Sequence, residues 1–433
     1  MILTGILFLL LILLGAPIVF ALGISAAVTI LSLDVPASII AQRLYAGLDS
    51  FTIMAIPFFI LAGVIMERGG IARRIVEFAI ALVGWVTGSL LLVASMTGIG
   101  MAAVSGSGAA STAAISSIML GQMRSRGYNV DFSAGLIAAA GTLGPVIPPS
   151  VMMVVLATST NISIGRAFLG GIVPGLLMAF AILVAGYLFA RRGGAAYRET
   201  RAFDLAYLGK TFVAAIPAFV VPLVVVGGII GGLFTPTEAA AVAVLCGLLI
   251  SVCVYREVTL KELPDMLLSA AALSASVMMV IATANVFSWL ISAQNVPEAI
   301  GALMHQATAS PLVFLLLMAV LLVVIGMFME GISAIMVLAP VLLPIATSFG
   351  VDPLHFGVLM VMNLSLGMIT PPYGITLYVA SSVARRSVMQ VSRQLWLPLS
   401  LLLAILLLTT CFPALVTALP DLLIPVANSK QGS

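Results

Sequence analysis

Apolar stretches longer than the ~20 residues a helix needs to cross a bilayer core recur along this chain from one end to the other. In lipid each backbone amide must find its partner within the protein, so the chain reads as an all-α polytopic membrane protein. Charged residues are only 8% of the sequence, where a soluble domain carries about a quarter, and no water-exposed surface of this size can be built from so few. The recurrence of the runs excludes a single anchor on a soluble domain. Met1–Leu33 lacks the basic start of a signal peptide and is followed by many further spans. It is read as the first membrane element, either one long helix or two pieces broken near Pro17. Cys246, Cys253 and Cys411 lie inside apolar runs and read as small hydrophobes rather than disulfide partners.

The apolar segments fall at about 1–33, 50–66, 88–122, 131–160, 168–190, 211–233, 236–255, 270–293, 311–349, 355–384 and 396–417. Two of them, 88–122 and 311–349, are too long for one crossing. Each is interrupted by a polar tip, Ser105-Gly106-Ser107-Gly108 in the first and Glu330-Gly331-Ile332-Ser333 in the second. Re-entrant hairpins, entering and leaving by one face, explain both. Charge tests this arrangement. With two hairpins, 15 of the 18 basic residues share a side, among them Arg68, Arg73, Arg74, Arg124, Arg191, Arg201, Arg256 and Arg386. Only Arg43, Arg166 and Lys430 fall opposite. The crowded side is then cytoplasmic, and full crossing by either hairpin would destroy the bias. Residues 34–49 (Asp34, Arg43, Asp49) and 256–269 (Arg256, Lys261, Glu262, Asp265) mix charged and apolar residues and read as amphipathic arms on the membrane surface, with plain loops as the alternative.

Offset by 223 residues, the chain aligns with itself without gaps. Gly108 falls on Gly331, Gly127 on Gly350, Gly144 on Gly367, Pro148 on Pro371 and Pro149 on Pro372. The matches concentrate in residues that fix backbone geometry, and the charge-derived sidedness places the copies in opposite orientations. Inverted repeats, each with a hairpin and an interrupted helix, are a hallmark of secondary transporters.

The two interrupted helices carry the chemistry. Gly141-Thr142-Leu143-Gly144-Pro145-Val146-Ile147-Pro148-Pro149-Ser150 breaks the first and Asn363-Leu364-Ser365-Leu366-Gly367-Met368-Ile369-Thr370-Pro371-Pro372 the second. Paired prolines remove amide donors and free preceding carbonyls, which in lipid need partners. Sodium, satisfied by carbonyl and hydroxyl oxygens, is one such partner; packing against a hairpin tip is another. One sodium site is read as Ser105, Ser107 and Gly108 with Gly141, Thr142, Gly144 and Pro145. A second is read as Gly331 and Ser333 with Ser365, Gly367 and Thr370. The half-helices starting after Gly108, Pro149, Gly331 and Pro372 would turn their positive ends to the midplane, favouring an anionic substrate without a buried arginine. Asn363, Thr142 and Ser150 are candidate substrate contacts. Glu330, an acid at a hairpin tip, is a candidate for neutralising a cation, carrying a proton or touching substrate. Thr235-Pro236-Thr237-Glu238 reads as a capping box, which gives Glu238 a structural role. There is no Walker A loop, His305 and His355 have no companion ligands, and nothing marks a catalytic centre or a nucleic-acid partner.

The runs Ser105–Thr112, Gly144–Ser150, Phe234–Ala241 and Thr370–Gly374 together resemble the large membrane subunit of TRAP (tripartite ATP-independent periplasmic) transporters. The resemblance spans essentially the whole chain. It implies an elevator-type transporter of the bacterial inner membrane, in which inward sodium flow drives uptake of an organic acid such as a dicarboxylate, oxo acid or sialic acid. It implies two partners, a four-helix small membrane subunit and a periplasmic substrate-binding protein. The length of the chain leads to the expectation that the small subunit is a separate polypeptide. The expected organisation is scaffold helices and an arm at 1–87 and a first transport core at 88–190 (hairpin 88–122, broken helix 131–160). Linker, scaffold and second arm follow at 191–310, a second core at 311–384 (hairpin 311–349, broken helix 355–384), and a C-terminal helix and tail at 385–433. A stand-alone sodium–anion symporter is the rival reading.

Overall fold

The computed structural model describes residues 2–33, 35–198 and 202–425, and among them every regular element is a helix. Asp34, Arg201 and Lys430, used above, lie outside the described residues. The first element is two helices, α1 (Ile2–Leu13) and α2 (Ile18–Ser32), joined through Gly15 at φ +80° and Pro17. The Thr4 hydroxyl donates to that of Thr29 at 3.0 Å, which pairs the start of α1 with the end of α2 in an antiparallel hairpin. The first arm contains a helix, α3 (Ser38–Ala46), with no fully buried residue. Arg43 of this arm lies over the Trp289 ring, 5.3 Å from its centroid.

Next come α4 (Ala55–Arg68) and α5 (Ile71–Val83), bent by 61° at Gly69-Gly70. Residues 67–87 fall outside the apolar segments, and Arg73, Arg74 and Glu77 interrupt their apolar content. The helix forms because Ile71, Ala72, Ile75, Val76 and Ala79 share one buried face. The first hairpin is α6 (Ser89–Ser105) and α7 (Gly108–Ser125), and the first interrupted helix is α8 (Val130–Gly141) and α9 (Val151–Thr160). The chain continues through α10 (Ile164–Arg192), α11 (Leu205–Ile230), α12 (Pro236–Leu249, extended by a π-helical turn) and α13 (Leu263–Ala293). The capping box at Thr235 is present, with the Glu238 carboxylate accepting from the Thr235 amide at 2.8 Å.

The second arm needs correction. Residues from Leu263 onward are not a separate surface element but the first turns of α13, a single helix of 31 residues. At 1.5 Å per residue it is ~46 Å long, well beyond the ~30 Å hydrocarbon core. After α14 (Val296–Ala307) come the second hairpin, α15 (Pro311–Phe328) and α16 (Gly331–Ser348), and the second interrupted helix, α17 (Pro353–Gly367) and α18 (Ile375–Ala384). The short α19 (Val388–Ser392) leads to α20 (Trp396–Cys411) and α21 (Ala414–Leu423), bent by 61°. Among the described residues six helices are long and apolar enough to cross a membrane, or up to eight if each bent pair is one span.

The repeat is written into the backbone. Gly127 and Gly350 both sit at φ +75°, and Pro148–Pro149 and Pro371–Pro372 are both cis. Helix N-caps recur at Ser107 and Glu330 and at Asn129 and Asp352. Two contacts establish the inversion. The start of α8 meets the end of α18, where Asp131 pairs with Arg386 at 3.2 Å. At the opposite end, Gly357 near the start of α17 packs against Leu156 and Ile162 around the end of α9. The two interrupted helices therefore run antiparallel.

On the basic side, Arg74 of α5 donates to Glu257 at 2.6 Å and lies over the Tyr255 ring, tying α5 to the loop before α13. The hydrogen bond from Arg74, with the charges of Arg74 and Arg73, holds the Glu257 carboxyl below its ordinary range. A depressed carboxyl stabilises the fold above its unfolded pKa of about 4.3 and loses that contribution as pH falls through the lower folded value. The difference in melting temperature between wild type and Arg74→Gln should therefore be present at neutral pH and close on acidification. It should be small, because the pair is near the surface. A gap that persists in acid would assign Arg74 a packing role only.

Candidate functional site

Hairpin 1 turns over through Gly106 in the left-handed region at φ +60°, and Ser107 then caps α7 by accepting from the Ala110 amide. The Ser105 hydroxyl lies 2.6 Å from that of Ser111. This tip is pressed against the first break, backbone to backbone. A Cβ on Gly106 would fall 2.8 Å from the Pro149 carbonyl oxygen, one on Gly108 2.9 Å from that of Gly141, and one on Gly144 2.9 Å from the Ser107 carbonyl carbon. The hairpin thus stops at the depth of the break, as re-entry requires.

The second half of each interrupted helix is handed to the other repeat. α18 packs on α7 and α8, and α9 packs on α16. Consequently Gly108 of hairpin 1 also faces Met368 and Thr376 of the second break, and Gly331 of hairpin 2 faces Met152 of α9. Hairpin 2 meets its own break through its first arm, where Gly326 and Gly367 touch main chain to main chain. Its tip is capped internally, the Glu330 carboxylate accepting from the Ser333 amide at 3.2 Å and hydroxyl at 3.4 Å.

These elements enclose a cavity of about 420 Å³. Hairpin 1 contributes Ser105 to Ala110, the first break Pro145, and hairpin 2 Glu330, Ile332 and Ser333. The opposite wall is one stripe of α4 (Ile60, Gly63, Val64, Glu67) and one of α13 (Leu273, Ser276, Val277, Val280). Both stripes have the i, i+3, i+4, i+7 spacing of a single helix face. No Lys, Arg or His lines the cavity.

Of the residues singled out in the sequence, Ser105, Ser107, Gly108, Pro145, Glu330 and Ser333 line this cavity. Gly141, Thr142, Gly144, Ser150, Gly331, Asn363, Ser365, Gly367 and Thr370 are not among its lining residues. Thr142 donates to the Ala139 carbonyl at 2.7 Å and Thr370 to that of Leu366 at 2.7 Å. Ser150, read as a substrate contact, has its hydroxyl engaged twice: it donates to the Pro145 carbonyl at 2.6 Å and caps α9 by accepting from Met153. Asn363 donates to the Leu359 carbonyl at 2.7 Å, while its Oδ1 and the Ser365 hydroxyl are buried without a partner. Asn363 Oδ1 and the Ser365 hydroxyl are thus two buried oxygens of the second break that no protein group satisfies among the described residues. Among the described residues no cluster of three or more His, Cys, Asp or Glu exists that could hold a metal.

Sequence reasoning missed Glu67, Met152, Ser276, Met368 and Thr376. Met368 is the repeat mate of Pro145 and was findable from the offset. Its carbonyl accepts from the Thr376 hydroxyl at 2.8 Å, as that of Pro145 accepts from Ser150. No pairwise sequence signal marks the scaffold stripe.

The family model for the tripartite ATP-independent periplasmic transporter, DctM component, matches residues 5–415. The chain belongs to the TRAP transporter large permease family. It is 43% identical over 406 residues to an isethionate TRAP transporter permease protein of Oleidesulfovibrio alaskensis, covering 93% of this chain and 63% of that longer one. It is 38% identical to the C4-dicarboxylate TRAP transporter large permease protein of Rhodobacter capsulatus, covering 94% and 96% of the two. The fold matches the crystal structure of the Alcanivorax borkumensis YdaH transporter with a TM-score of 0.61 at 16% identity, over 86% and 87% of the chains. This TRAP permease is therefore a multi-pass membrane transport subunit built as an inverted repeat.

Proposed function

We propose that the chain is the translocating subunit of a sodium-driven importer of small organic acids in the bacterial inner membrane. It works with a four-helix small membrane subunit and receives its ligand from a periplasmic binding protein. The observation that carries this reading is the single cavity in which both hairpin tips and both helix breaks face one wall of α4 and α13. Relatives are named for isethionate, C4-dicarboxylates, 2,3-diketo-L-gulonate and sialic acid, which supports an organic acid as cargo.

Two sodium ions are placed at the paired breaks. One is held by Ser105, Ser107 and Gly108 with Gly141, Thr142, Gly144 and Pro145, the other by Gly331 and Ser333 with Ser365, Gly367 and Thr370. Their charge offsets that of the ligand in a cavity without a basic side chain. The cores 88–190 and 311–384 move as one body past α4 and α13, carrying the cavity across. Reconstitution tests this: uptake of a radiolabelled organic acid into proteoliposomes should need both an inward sodium gradient and the cognate binding protein. Uptake with sodium but indifferent to the binding protein would make the chain a stand-alone symporter, and uptake without sodium would overturn the coupling.

A further inference from the structure

The wall that α4 and α13 present to the cavity is hydrocarbon over most of its length. Ile60 and Val64 come from α4, and Leu273, Val277 and Val280 from α13. Each stripe runs over two helical turns, about 10 Å. Its polar members are Ser276 and Glu67. Ser276 already donates to the Ala272 carbonyl at 3.1 Å, and Glu67 ends the α4 stripe beside Arg68. On the side of the core, the hydroxyls are also engaged within the protein. That of Ser105 lies 2.6 Å from Ser111, that of Ser333 donates to Glu330 at 3.4 Å, and that of Ser107 caps α7. Between them the core adds Val151, Met152, Ile332 and Ile375. In a membrane protein an accessible aliphatic side chain ordinarily meets lipid. Val64 and Val277 are half-buried, and the hairpin tips face them across the cavity instead. Covering such a surface with hydrocarbon is favourable in proportion to the area removed from water.

We propose that the cargo of this cavity is an aliphatic organic acid, with its acid group on the side of the core and its hydrocarbon chain laid along the α4–α13 wall. This rests on the reading of the cavity as the substrate site and adds the chain class of the ligand. The wall selects by burial: each methylene that covers it is removed from water together with the valine or leucine beneath. A polyhydroxy acid brings hydroxyls to a wall whose middle has no free partner for them. Each hydroxyl that loses water without finding a partner weakens binding.

The test uses the full chain in lipid nanodiscs, in sodium buffer, with the 2-hydroxy acids lactate, 2-hydroxybutyrate, 2-hydroxypentanoate and 2-hydroxyhexanoate as probes. They share charge and head group, and each is longer than the last by a methylene. Binding is read as the concentration that gives half-maximal thermal stabilisation. Affinity is expected to rise by up to about fourfold per methylene, the factor that burial of one such group produces. Gluconate matches 2-hydroxyhexanoate in carbon count but carries a hydroxyl on every chain carbon, and should bind at least about tenfold more weakly. Val64→Thr and Val277→Thr exchange a methyl for a hydroxyl at nearly constant volume and should flatten the rise. Val213→Thr on α11, at a position 65% exposed and outside the cavity lining, should leave it intact. Partition of the probes into lipid is the same for all these proteins, so a difference between variants belongs to the cavity. No rise with chain length, a rise that both cavity variants leave unchanged, or gluconate bound as tightly as 2-hydroxyhexanoate overturns the aliphatic assignment. The wall is then only the surface past which the core moves, and the cavity stands as the site. Binding of no probe, gluconate included, overturns the substrate-site reading with it.

Discussion

Gly367→Ala is expected to reduce transport to less than about a tenth of wild type and to lower the melting temperature by several degrees. A methyl group at this position would overlap the main chain of Gly326 on the neighbouring α15, and one on Gly326 would in turn fall 2.8 Å from the Leu364 carbonyl oxygen. Small residues at a helix crossing let backbones touch, and dispersion from that contact is what holds helices together where lipid is as apolar as the side chains. Neither helix can give way at a side chain, because the opposing atoms are backbone. Overpacking typically costs 1–3 kcal/mol and occasionally more; this site belongs at the upper end. Gly227→Ala is the matched control, since nothing lies within 4 Å of its would-be Cβ, and helix propensity alone should leave it neutral or slightly stabilised. Paired thermal-melt and uptake measurements decide the matter. Wild-type melting in Gly367→Ala would mean that α15 and α17 do not cross at these glycines.

The architecture was legible where the sequence writes backbone geometry. Gly108, Gly127, Pro148 and Pro149 repeat at one offset because a turn, a left-handed residue and a helix break each demand a particular residue, and the structure places hairpins and breaks accordingly. The opposite orientation of the two repeats was legible because basic residues are scarce and cluster, and the antiparallel packing of the interrupted helices agrees with it. What was not legible is which half-helix packs on which hairpin. The exchange that puts Met152 against Gly331 and Thr376 against Gly108 joins residues more than a hundred positions apart, and apolar helices carry no local mark of their partners. The same holds for the scaffold wall. Glu67 sits at the end of an apolar span beside an arginine, which in sequence looks like an ordinary interfacial residue, and only the bend at Gly69-Gly70 and the position of α13 turn it into a cavity group. The second arm failed for another reason: a charged, amphipathic start does not reveal whether a helix stops at the interface or runs on, and α13 runs on.

Ser365 and its repeat mate Thr142 separate structural from ionic roles at the two breaks. The Ser365 hydroxyl is fully buried and has no partner, a condition that costs on the order of 1–3 kcal/mol when nothing fills it. Thr142 is equally buried but donates to the Ala139 carbonyl, so its hydroxyl already has one use without an ion. If Ser365 is a sodium ligand, Ser365→Ala should leave the sodium-free protein as stable as wild type or more so, because an unsatisfied group has been removed. The same change should abolish much of the stabilisation that sodium confers and raise the sodium concentration for half-maximal uptake at least about tenfold, the equivalent of losing one oxygen ligand worth about 1.4 kcal/mol. Thr142→Val should instead lower stability with and without sodium, since it removes a hydrogen bond the empty protein already makes. Melting curves across a sodium titration, with potassium as the control for ionic strength, distinguish these outcomes. Destabilisation of Ser365→Ala in the absence of sodium would assign its hydroxyl to the fold and move the second ion elsewhere along the break.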